Sequence, residues 1–193
     1  RWPVPPPTQS RVPGSVLWLL DAPQPGFAAR LREHAQSHGI DPVRLRFQRK
    51  LPHADYLARY AHVDLFLDTW PYNAHTTASD ALWAGCPLLT WPGDAFAARV
   101  AGSLLRTLGL RELVVDSRAA YVDKAAELAS EPERLHSLRS ELARRRKIAP
   151  LFDMTRFTRD FTVALKHMSA RHRAGLSPQH FAVAADHHVV LES

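Results

Sequence analysis

The chain has 193 residues, 46% of them hydrophobic, and its 25 Lys and Arg against 19 Asp and Glu give a net charge of +6. This suits one domain with a sizeable core, and the single cysteine, Cys86, excludes an internal disulfide and a thiolate metal cage. The positive excess favours anionic partners, but no zinc-finger, RNP or helix-turn-helix pattern accompanies it, so nucleic acid is not singled out. No apolar run approaches the roughly 18 residues of a membrane span and no signal peptide opens the chain, which predicts a cytoplasmic location. Arg1 in place of Met suggests a piece of a longer protein.

Residues 1–13 contain five prolines and little periodicity, and read as an extended linker. Residues 16–20 form a continuous apolar run, as in strands covered on both faces of a parallel sheet. Phe27, Leu31, His34 and Ala35 then recur at helical spacing until Gly39, and residues 44–47 make the next strand. This alternation, with crossovers of about a dozen residues or more, implies parallel neighbours. A helix is predicted from the stretch 51–60, close behind a strand end, where open α/β sheets bind ligands. His53 and Tyr56, three apart, share its face.

Residues 63–67 have the length and branching of a buried strand, which breaks at Trp70-Pro71-Tyr72-Asn73. Helical spacing restarts at once: Thr76 or Thr77 can cap the new helix, Ala81, Leu82 and Ala84 pack, and Gly85 with Pro87 stops it. A helix start with free N–H groups, two hydroxyls and His75 is suited to a phosphate, because donors and dipole both point at the anion. Asp80, one turn further in, is suited to sugar hydroxyls instead. Beyond it come a strand over 87–90, a helix over 95–108 rich in small residues, and a short edge strand over 113–115. Arg99 reads equally as a ligand contact or a solvated helix residue.

A helix over 121–129 follows, then one begun by Pro132 with Leu135, Leu138 and Leu142 on one side. The basic run 144–147 suggests a polyanion site, yet cations in a last helical turn also complement the dipole, and a solvated face is the better reading. Phe157, Phe161 and Leu165 mark a closing helix, and residues 174–193 read as a loosely held tail. No Asp-x-Asp pair stands near a strand end to hold a divalent ion on a diphosphate. Asp64 and Asp68 share a strand face but belong to the strand start and the following loop.

The run LDTWPYNAHTTASDALWAGCPLLTWPG from Leu67, followed by AARVAGSLL, closely resembles the C-terminal catalytic lobe of the protein O-GlcNAc transferases of bacterial type. These are nucleotide-sugar glycosyltransferases with tetratricopeptide repeats, and the likeness extends in weaker form over residues 12–165. The resemblance implies an α/β fold, a Rossmann-like doubly wound parallel sheet forming the C-terminal lobe of a GT-B glycosyltransferase. The lobe would span 14–173, after the linker 1–13 and before the tail 174–193. It implies UDP-GlcNAc as donor substrate, no cofactor, no metal, and inverting transfer of N-acetylglucosamine to protein Ser or Thr.

By the same resemblance His75, Thr76, Thr77 and Asp80 hold the diphosphate and sugar. Leu51 offers backbone groups to the uracil, His53 lies by the ribose, Tyr56 stacks on the base and Arg59 flanks that pocket. The family places a phosphate-binding lysine, much of the acceptor site and a mechanistically important histidine upstream of the matching segment. No residue here is therefore assigned as catalytic, and the fragment alone is expected to be inactive. Expected partners are the UDP-sugar, a protein acceptor, and the N-terminal lobe and repeats of the same protein, not nucleic acid or membrane. Two other functions fit the residues: a degenerate nucleotide-binding or scaffolding module, or a GT-B transferase using another sugar nucleotide such as GDP-fucose.

Overall fold

The computed structural model describes residues 6–22 and 24–191, in two compact units, Arg1–Arg146 and Lys147–Ser193. The linker reading of residues 1–13 is corrected where it is described, and for residues 1–5 it lies outside the described residues. Pro6–Arg11 is a helix, α1. It is tied down by partners distant in sequence, which local periodicity does not register. The Arg44 guanidinium donates to the carbonyls of Gln9 and Val12, each at 2.8 Å, and Arg11 pairs with Asp123.

In the first unit β1 (Leu17–Leu20) and β2 (Leu45–Gln48) pair in parallel, Leu17 opposite Leu45, across α2 (Phe27–Gln36). Gly39 turns the chain out of α2 at φ 71, where a side chain would be strained. Leu19, Leu31 and Phe47 pack on buried Ala35, Ile40 and Leu45. Only that face of β1 is covered: Val16, Trp18 and Leu20 are exposed, so the expectation of a strand buried on both sides does not hold.

Next come α3 (His53–Arg59), a 3-10 turn at Tyr60–His62, β3 (Phe66–Leu67), α4 (Thr76–Trp83) and β4 (Leu88–Leu89). β3 and β4 are parallel, and a parallel bridge from Thr90 to Val114 continues the sheet. That bridge is what remains of the strand expected over 113–115. The helix expected over 95–108 divides into a 3-10 turn, Phe96–Ala98, and α5, Val100–Thr107.

The long helices α6 (Arg118–Ser130) and α7 (Pro132–Arg145) complete this unit, with Tyr121, Ala125, Leu135, Leu138 and Leu142 buried. Ser117 caps α6 by accepting from Ala120 N–H at 3.2 Å. Two of the four residues in the basic run 144–147 are committed to backbone. Arg145 donates to Leu108 O at 2.8 Å, Arg146 donates to Trp83 O and lies over its ring, and Arg139 reaches the carbonyls of Val63 and Gly85.

In the second unit, Asp153 caps α8 (Met154–Arg173) by accepting from Arg156 N–H at 2.9 Å, and β5 (Phe181–Val183) pairs antiparallel with β6 (Val189–Leu191). His187, in the turn, meets Asp160 at 2.5 Å through Nδ1 and accepts from Arg159 at 2.8 Å through Nε2. As far as residue 191 the expected loose tail is therefore a hairpin packed on α8; residues 192–193 lie outside the described residues. Met154, Phe157, Phe161, Leu165 and Met168 form an exposed stripe along α8. Among the described residues no helix is long and apolar enough to cross a membrane.

Candidate functional site

The loop from β3 into α4 is held from within. Asp68, 7% exposed, accepts at one carboxylate oxygen from the N–H groups of Thr69 (2.8 Å) and Ala74 (2.7 Å). Its other oxygen accepts from Thr90 Oγ1 at 2.6 Å, and its carbonyl accepts from the buried Tyr121 hydroxyl at 2.9 Å. Burial raises its carboxyl above the usual range despite these donors. Asn73, fully buried, donates its N–H to Ala97 O and its amide Nδ2 to Thr69 O, both at 2.8 Å. Trp70 and Trp91 stack at 4.8 Å and 9°. The entrance to α4 is thus set by buried hydrogen bonds.

At that entrance the capping expectation is corrected. His75, not a threonine, occupies the N-cap position, without a side-chain cap bond. Thr76 and Thr77 fall inside the first turn, both exposed. The first N–H to close on the helix is that of Ser79, donated to His75 O at 3.1 Å, so the N–H groups of Thr76, Thr77 and Ala78 remain at the open end. The His75 ring is half-buried, stacked on Tyr72 at 5.0 Å and 18° and edge-on to Phe96 at 6.0 Å. Its Nε2 lies 3.3 Å from Ala97 O. A carbonyl only accepts, so Nε2–H donates, and Nδ1 is the ring's other polar atom.

The α3 residues meet this entrance at one point. Tyr56 is half-buried and edge-on to Tyr60, ring centroids 5.3 Å apart, with the two hydroxyls in contact. Tyr60 in turn lies 3.5 Å from Thr77 O. Burial raises the Tyr56 phenol above its usual value. His53 is exposed at the start of α3, its ring 6.3 Å from that of Tyr56, and Leu51 is exposed just before it. Arg59 is turned back to Arg49 O at 3.3 Å, on the loop after β2. Arg99 is exposed.

Sequence reasoning missed Asp68 as the loop's anchor, the Tyr72 and Phe96 rings around His75, and Tyr60. The available signals were spacings: Tyr60 follows Tyr56 by four on a helix, and Tyr72 precedes His75 by three. What the arrangement can do is bind an anion with amide and hydroxyl donors beside a carboxylate and an aromatic ring. Among the described residues no group of three or more His, Cys, Asp or Glu is placed to hold a metal ion.

The model of glycosyl transferase family 41 matches residues 8–161. A probable UDP-N-acetylglucosamine–peptide N-acetylglucosaminyltransferase of Arabidopsis thaliana, SEC, is 38% identical over 174 residues, 90% of this chain and 18% of that protein. The Caenorhabditis elegans UDP-N-acetylglucosamine–peptide N-acetylglucosaminyltransferase is 35% identical over 169 residues, 88% of this chain and 15% of its own length. The chain thus spans less than a fifth of these relatives. Among solved structures, a Lys-to-Met mutant of the Thermobaculum terrenum O-GlcNAc transferase superposes with a TM-score of 0.66 at 34% identity, covering 72% of this chain and 26% of that one. The fold is the Rossmann-like α/β lobe of a GT-B glycosyltransferase, with which its parallel strand pairs agree. The chain belongs to glycosyl transferase family 41.

Proposed function

We propose that this chain is the donor-binding half of an inverting, metal-independent transferase that moves N-acetylglucosamine from UDP-GlcNAc to a protein serine or threonine. The observation that carries this reading is the entrance of α4, where outward N–H groups and the Thr76 and Thr77 hydroxyls stand beside His75, with Asp80 one turn further in and Tyr56 linked to Thr77 through Tyr60. The relatives' names supply the substrate class.

In this reading the diphosphate lies across the first turn of α4, the His75 ring lies against the phosphates or sugar, and Asp80 accepts from sugar hydroxyls. Tyr56 stacks on the uracil, Leu51 contributes backbone groups, His53 lies by the ribose and Arg59 flanks the pocket. Transfer breaks the bond from the anomeric carbon to the phosphate oxygen as the acceptor hydroxyl oxygen attacks from the opposite face. The negative charge growing on UDP meets helix N–H groups and hydroxyls already oriented toward it, which lowers the barrier without reorganisation. The acceptor's proton leaves to a base outside this chain, so residues 1–193 bind UDP but turn over nothing alone.

Calorimetric titration with UDP tests this. Binding should weaken at least about tenfold in Thr77→Ala and in Asp80→Ala, corresponding to loss of a hydrogen bond to a charged group or sugar. Unchanged affinity in both variants, or no binding by the parent chain, would overturn the assignment.

A further inference from the structure

Behind Tyr56 stands a residue with no role so far. Tyr60 is 6% exposed and packed with Ala81 and Cys86 in the core between α3 and α4. Its hydroxyl faces both ways: toward the Tyr56 hydroxyl, and toward the carbonyl of Thr77 at 3.5 Å. The carbonyl can only accept, so Tyr60 donates to Thr77 and Tyr56 donates to Tyr60. The chain of bonds has a single direction, from the half-buried Tyr56 of α3 into the first turn of α4. Within the described residues it is the side-chain hydrogen-bonded link between the two halves of the candidate site.

We propose that Tyr60 is a positioning residue for donor binding: bonded to the Thr77 carbonyl, it holds the Tyr56 ring in a fixed place relative to the first turn of α4. The inference rests on the donor-site reading above. Burial of Tyr60 supports it, because it raises the phenol above its usual value and keeps it a donor at neutral pH. An unanchored Tyr56 would keep its stacking surface but sample several orientations, and the ordering lost would be supplied by the ligand on binding.

The test compares Tyr60→Phe, Tyr56→Phe and the double variant in the full chain, with UDP affinity measured calorimetrically and thermal midpoints as a control on folding. Each single change keeps both rings and removes the same hydroxyl link. Each should weaken UDP about fivefold, the worth of one hydrogen bond, and the double variant should be no weaker than either. Unchanged affinity in the single variants, or losses that add in the double, would overturn the inference while leaving the donor site standing. Should Tyr60→Phe fail to fold, Tyr56→Phe breaks the link from its partly exposed end and reads the same loss. No UDP binding by the parent chain would instead remove the donor reading, and this inference with it.

Discussion

Asp68 shows how one buried carboxyl shapes the site without touching a ligand. Burial penalises its charge more than its three donors relieve it, so its folded pKa lies above the ordinary 3.8. A carboxyl raised in this way stabilises the fold while protonated: the contribution is full below the unfolded pKa and is lost as pH rises through the folded one. Asp68→Asn copies the protonated shape, its oxygen accepting from Thr69 and Ala74 and its NH₂ donating to Thr90. It should match the parent's stability at acid pH, below the unfolded carboxyl pKa, and keep that contribution as pH rises toward 7 while the parent loses it, read by urea denaturation at several pH values. Asp68→Ala leaves three donors unpaired and should cost about 2–4 kcal/mol. An Asn variant as unstable as the Ala variant would contradict this account. Cys86, whose thiol burial pushes up to about 12, should stay unreactive to thiol reagents until the chain unfolds.

Among the elements, α7 repays attention because its arginines act in opposite ways. Arg139 binds the carbonyls of Val63 and Gly85, joining the stretch that leads into β3 to the turn after α4, whereas Arg144 and Lys147 are exposed. Arg139→Met should therefore lower the urea midpoint by the equivalent of about 1–3 kcal/mol with an unchanged m value. The pair Arg144→Gln and Lys147→Gln should stay within about 0.5 kcal/mol of the parent. The helices α2, α4, α6, α7 and α8 were legible because apolar spacing and their stop signals, Gly39 and Gly85 among them, are local. Three features were not local. The open face of β1 has the same apolar run as a covered strand, α1 depends on Arg44 and Asp123, and the hairpin over 181–191 depends on Asp160 and Arg159 in α8.

For the whole molecule, the order of strands and helices and the position of His75, Thr76, Thr77 and Asp80 could be read from one unusual run of residues. The loop that presents them could not, since Tyr121 bonds to Asp68 across 53 positions and Ala97 accepts from Asn73 and approaches His75 from the far side of β4. Contacts of that kind leave no period in a sequence. They also account for how the site is formed before any ligand arrives: α4 begins where buried bonds end, with its free N–H groups outward. The most direct measurement is amide chemical-shift mapping of the chain on titration with UDP. Saturating shifts centred on Thr76, Thr77 and Ala78, with smaller ones at Tyr56 and Asp80, are the expected result. Shifts confined to other segments, or none at these amides at saturating UDP, would contradict the placement of the diphosphate at the start of α4.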